Sequence, residues 1–88
     1  MAVLGLDVEA ARDLSRNMGS TADNMNQMMQ QLSNLLNNVE WRGSDADNFR
    51  NQWQGSAMPQ LNQIIEMLRE NGTNLARQAD EQERVSSS

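Results

Sequence analysis

The sequence predicts an all-α protein, an antiparallel two-helix hairpin that dimerises into a four-helix bundle. Three observations lead there. Apolar residues recur at helical spacing through two long segments. One punctuated stretch near mid-chain separates those segments. The apolar stripe of each segment is also wider than one neighbouring helix can cover.

Asp7 reads as an N-cap, a side chain able to accept from the free amides of a first helical turn. From there to about residue 40, Ala11, Met18, Met25, Leu32 and Val39 recur seven apart, and Leu14, Thr21, Met28 and Leu35 form a second row. Ala22, Met29 and Leu36 widen the stripe, while Glu9, Arg12, Asp13, Arg16 and Asp23 stand off it. This predicts an amphipathic helix over about residues 8–40, roughly 50 Å long at 1.5 Å per residue. Gly19 weakens it by about 1 kcal/mol relative to Ala.

The stretch Glu40-Trp41-Arg42-Gly43-Ser44-Asp45-Ala46-Asp47 is the clearest punctuation. Gly43 suits the left-handed end of a first helix. Ser44 with Asp47 three positions on reads as a capping box opening a second. A turn over about 41–44 leaves the two helices antiparallel and adjacent. Helix 2 is expected over about 45–81, with a stripe of Ala46, Phe49, Trp53, Ala57, Leu61, Ile64, Ile65, Leu68, Leu75 and Ala79. Pro59 lacks an amide proton and crowds the Gly55 carbonyl, so a kink or break is expected near 55–59. Asn71-Gly72 is turn-like and is expected to loosen the helix. Residues 82–88 lack periodicity and are expected to fray. The capped start at Asp7 and the aperiodic Ser tail lead us to expect a complete chain forming one domain over 1–88.

A chain of 88 residues with three aromatic side chains and no Cys has little else to stabilise a two-helix core. Face-to-face pairing of two hairpins buries both stripes, and the seven-residue repeat suits the shallow crossing of such bundles. The residues expected at the dimer interface are Leu14, Met18, Met25, Met28, Leu32 and Leu35 on the first helix, with Trp53, Leu61, Ile64 and Leu68 on the second.

Composition excludes much else. The chain has no His, Cys, Lys or Tyr, so Ser and Thr have no partner able to activate them, and we expect no enzyme and no cofactor. A net charge of −5 argues against nucleic acid or anionic membrane as partner. No metal is expected: Asp45-x-Asp47 could start a calcium loop, but Phe49 and Arg50 stand where a ligand and a Gly are needed. Asp80, Glu81 and Glu83 read as a solvated acidic cluster, and Asn71-Gly72-Thr73 as a chance sequon. The Met residues of the stripe read either as core filler or as a surface adaptable to several partners. Met1 to Leu6 carries no charged n-region, and Asp7 ends its apolar run too early for a leader.

Trp41-Arg42-Gly43 followed by Ala46, Phe49 and Trp53 resembles the WXG family of helical hairpins. The resemblance spans nearly the whole chain: length, a long first helix, Trp-x-Gly at mid-chain and a second helix. It implies a non-enzymatic substrate of a type VII secretion system, cytoplasmic before export by a leaderless route. It implies as partners itself or a family paralogue, whose export it is expected to chaperone, and the secretion ATPase. It further implies a tail signal of Tyr, three residues, then Asp or Glu. Here Ala76 takes the aromatic position and Asp80 the acidic one. The chain therefore matches the subunit that contributes the Trp-x-Gly end while another chain supplies the tail signal. From the residues alone, Trp41 and Gly43 also suit a packing lid and a helix cap. Two other classes stand beside this one: a membrane-active helical effector, disfavoured by the acidic to neutral polar faces, and a structural coiled-coil module.

Overall fold

Asp7 opens the first arm as its carboxylate accepts from the Ala10 amide at 3.1 Å, satisfying one of the four amides that a helix start leaves unpartnered. The computed structural model describes residues 6–87, so the reading of residues 1–5 as leaderless, and Ser88 of the tail, lie outside the described residues. Helix α1 spans Val8–Asn38. Residues 39–43 cross to a second arm made of α2 (Ser44–Gln52), a π-helical turn (Trp53–Ala57) and α3 (Met58–Ser87). No strand occurs among the described residues.

The arms lie side by side as an extended hairpin of 65 × 19 × 12 Å. The smallest dimension is about the diameter of one helix. The fold is therefore a single layer, whereas a globular domain needs two to enclose a core. The radius of gyration of 19.2 Å compares with about 12 Å for a compact domain of this length.

The seam between the arms is narrow and built from small residues. Ala22, Met29 and Leu36 on α1 are buried, seven apart, and Ile65, Gly72 and Ala79 repeat the same spacing on α3. Ala22, Ala46 and Ala79 are at 0% exposure, and among the described residues no large side chain is fully buried. Met25, Trp53, Met58, Leu61 and Leu68 pack half-buried around the cluster of Ala22, Met29 and Ile65.

Three sequence expectations for the second arm are corrected. Asn71-Gly72 does not loosen α3, which continues through it. Gly72 marks a close approach of the arms: Ser15 Oγ donates to its carbonyl at 2.6 Å. A Cβ there would stand 3.3 Å from the Ser15 carbonyl oxygen and 3.4 Å from Met18 Cβ. Pro59 neither breaks nor ends the helix. The Met58 amide donates to the Trp53 carbonyl, five residues back. This widened turn, immediately before Pro59, absorbs the lost hydrogen bond without a break. The tail is helical to Ser87 instead of fraying after residue 81. Glu81, Gln82, Glu83 and Arg84 are good helix formers. Arg12 ties this end to α1 by pairing with Asp80 at 3.0 Å and with Glu83, so two members of the acidic cluster are ion-paired.

The hairpin has two unlike faces. At about 100° per residue, Arg12 and Asp23 point roughly 160–180° away from Leu14 and Leu32 around α1. The inter-arm ion pairs, Arg12 to Asp80 and Arg69 to Asp23 at 2.8 Å, belong to the polar side. The opposite side is apolar on both arms.

Glycine substitutions separate the seam from the helix interior. Gly72→Leu is expected to lower stability by about 1–3 kcal/mol, because the seam must open for the new side chain. Gly19→Ala has nothing within 4 Å of the added Cβ and is expected to raise stability by about 0.5–1 kcal/mol through helix propensity alone. Thermal and urea unfolding followed by circular dichroism measure both.

Candidate interaction surfaces at the turn and along one face

Helix α1 reaches its end without the usual devices. It has no basic residue in its last turn and no glycine behind it, and Val39 follows it in extended conformation. The Val39 amide bonds the Leu35 carbonyl at 2.9 Å, which leaves later carbonyls open. Arg50, one helix further along the chain, supplies the donors. Its Nε and Nη2 donate to the Leu36 carbonyl at 3.1 and 3.0 Å, its Nη1 to the Trp41 carbonyl at 2.8 Å, and its Nη2 to the Val39 carbonyl at 3.4 Å. A guanidinium is suited to this because its forked donors are fixed in one plane. Its positive charge also lies against the negative end of the α1 dipole. Sequence reasoning did not assign Arg50 this role. The available signal was an α1 end lacking a cation of its own.

Gly43 does adopt a left-handed conformation, with φ 118° and ψ 174°. Its place differs from the expectation. α1 has ended at Asn38, so Gly43 caps the start of α2, and its carbonyl accepts from the Asp47 amide at 3.0 Å. Ser44 is already helical, no side-chain cap bond forms at this start, and the Ser44–Asp47 capping box is absent. Asp45 and Asp47 in the first turn instead provide charge favourable to the helix dipole. The φ and ψ of Gly43 fall in a region that only glycine occupies without strain.

This framework holds an aromatic pair outward at the end of the hairpin. The Trp41 and Phe49 rings are 5.9 Å apart and tilted by 50°. The Arg50 guanidinium lies 5.8 Å from the Trp41 ring centroid. Both aromatics stay 40% exposed. The indole is thus restrained by a ring edge and a cation, and still presents apolar surface to solvent.

The second surface runs along the apolar face. Met25, Met28, Met29, Leu32, Trp53 and Leu61 line an open groove of 240 Å³ between the arms. Of the residues expected at a dimer interface, Leu14, Met28, Leu32, Leu35 and Ile64 are exposed, with Met28 at 62% and Leu35 at 65%. Met18, Met25, Trp53, Leu61 and Leu68 are half-buried, and the last four of these already pack on the hairpin's own seam. Trp53 is fixed further by its indole N–H, which donates to Ser33 Oγ at 2.8 Å. Met29 and Leu36, placed by sequence at the stripe's margin, are its buried centre. The 3.6-residue repeat rotates the seven-residue rows slowly around the helix, so the seam and the open face share one broad stripe.

The tail positions are not brought to the turn within one chain. Ala76 is half-buried, and Asp80 pairs with Arg12 at the far end of α1. Among the described residues no group of three or more His, Cys, Asp or Glu is gathered to hold a metal ion.

Two variants test the turn. Arg50→Lys keeps the charge and loses the fork. It is expected to destabilise the protein by about 1–3 kcal/mol and, in a Trp53→Phe background, to red-shift Trp41 fluorescence. Gly43→Val is expected to cost about 1–3 kcal/mol from backbone strain alone. Urea denaturation gives both values, and a Gly43→Val protein that unfolds like the parent would exclude the strain.

Set against known proteins, the chain matches no family model, no curated protein and no solved structure.

Proposed function

We propose that this chain is a non-enzymatic, dimer-forming substrate of a type VII secretion system that presents Trp41 at the end of its bundle and accompanies its partner through export. The observation that carries the reading is a hairpin with an unpartnered apolar face and a restrained, exposed indole at its turn. An interaction protein uses both features, and neither is a site for chemistry. The Trp-x-Gly turn between two long helices supports the resemblance to the WXG family by its position and by the left-handed Gly43. Pairing into a four-helix bundle would cover Leu14, Met28, Leu32 and Leu35, whose exposure is costly in water.

The tail supports a division of labour between two chains. Ala76 offers no ring, and Asp80 is engaged with Arg12. A surface ion pair of that kind contributes about 0–1 kcal/mol. A tail signal on another chain would then complement the Trp41 end. Partners of this reading are a second hairpin and the secretion ATPase, without nucleic acid or metal.

Two substitutions separate dimerisation from export. Leu32→Asp is expected to abolish the dimer, because the charge would be desolvated within the covered face, while Asp23→Asn on the polar side leaves it intact. Trp41→Ala is expected to dimerise like the parent and to stop export from the native host. Export of this chain from a host lacking every related chain would show that it carries a complete signal of its own and refute the division of labour. Loss of folding in the Trp41 variant would return the indole to a purely structural role.

A further inference from the structure

The methionines of α1 are not spread evenly along the helix. Three of the four, Met25, Met28 and Met29, fall within five residues, whereas Leu14, Leu32 and Leu35 serve the exposed apolar positions to either side. Leucine fills a seam or a pairing face as well as methionine does, so volume alone does not account for three thioethers in one stretch. The i, i+3 and i+4 spacing sets Met25 beside both of the others, with Cβ atoms about 5–6 Å apart. Each side chain has three rotatable bonds and a polarizable sulfur, which lets the sulfurs converge. All three line the groove of 240 Å³ beside the seam, together with Leu32, Trp53 and Leu61, while Met18, Met58 and Met67 do not.

The groove offers sulfur, an aromatic ring and hydrocarbon. Residues 24–39 and 51–65 contain no charged side chain, and the chain has no His and no Cys. A hard cation such as calcium or magnesium would give up its water there and find no oxygen ligands in exchange. Thioethers are soft ligands and select soft ions, Cu(I) among them. The three side chains also differ in freedom. Met29 is buried and Met25 half-buried, so both are held by packing, while Met28 is exposed and able to swing over the groove. Trp53 completes the wall. Its indole N–H is held toward Ser33 Oγ at 2.8 Å, and the side chain borders the groove as well. A ring beside a cation adds electrostatic attraction, and the net charge of −5 favours any cation over an anion.

We propose that Met25, Met28 and Met29 form a binding site for a soft monovalent cation, Cu(I), bounded by the Trp53 side chain. The three sulfurs act as neutral ligands through their lone pairs. No covalent bond of the protein breaks and no electron is transferred when the ion binds. The ligands come from one stretch of one helix, so the site is complete in a single chain. The inference goes beyond the export reading, which needs no metal, and neither depends on the other.

Ag(I), a soft closed-shell ion that is stable in air, is the first probe. Titrated into the full chain in chloride-free buffer, it is expected to bind at one equivalent, read by native mass spectrometry. The ε-methyl NMR signals of Met25, Met28 and Met29 are expected to shift ahead of those of the other methionines. In Trp41→Phe protein Trp53 is the sole indole, and its emission is expected to be quenched over the same range. Met28→Leu keeps the volume and apolarity of the site and is expected to weaken Ag(I) by more than about tenfold, since even outer partners of a metal contribute that much. Met67→Leu, outside the groove, is expected to leave the affinity unchanged. Cu(I), presented anaerobically, is expected to shift the same three methyl signals, and Zn(II) none of them. Absence of one-equivalent binding, shifts spread evenly over all the methionines, or an affinity indifferent to Met28→Leu overturns the site. Binding of Ag(I) without Cu(I) marks an adventitious ion only and also overturns it. Should circular dichroism show Met28→Leu to be unfolded, the methyl shifts of the parent chain decide. Each of these failures leaves the export reading intact, and a chain that binds Cu(I) yet is not exported through the secretion system does the reverse.

Discussion

Two helices side by side can each bury one line of residues against the other, and that geometric limit governs the rest of this molecule. The buried line is spent on close approach: alanines, one glycine and one serine bring the arms together, and Met29, Leu36 and Ile65 fill the wider levels. The larger apolar side chains, Met28, Leu35 and Ile64 among them, stand beside the seam and face outward. A single layer 12 Å thick has no other place for them. The unpartnered face follows from the architecture and is not an irregularity of one segment.

The turn solves a separate problem. A long helix ending in a loop leaves carbonyls that need donors and a dipole that favours a cation. Arg50 meets both needs from the following helix, and in doing so fixes the distance between α2 and the end of α1. Trp41 and Phe49 pack where the guanidinium and the loop backbone leave room. Gly43 makes the geometry accessible by turning the chain through a conformation closed to other residues. The exposed indole is therefore positioned by contacts unrelated to the seam.

Periodicity made the hairpin, the Asp7 cap and the broad stripe legible in the sequence, because helical spacing and capping are local properties. The division of that stripe into seam and open face was not legible. It depends on which small residues let the other arm approach, a tertiary fact carried by Gly72 and Ser15. Pro59 signalled irregularity at the right place, and the form it takes, a widened turn and not a break, depends on how the preceding backbone answers the missing donor. Arg50 was unreadable for the same reason: a cap supplied from another helix has no fixed spacing to search for. The tail was misjudged because Arg12, far away in sequence, pairs with it.

The two kinds of contact also differ in how far apart in sequence they reach, and this shapes how the hairpin opens. Arg50 binds carbonyls 9–14 residues away, whereas Ser15 to Gly72 spans 57 and Arg12 to Glu83 spans 71. Contacts at the open end are the most costly in loop closure, and the ion pairs there are exposed and individually weak. Separation of the arms should begin at the termini and leave the turn, with its aromatic pair, as the last ordered unit. The geometry of Trp41 therefore stays local to residues 36–50 while the arms part.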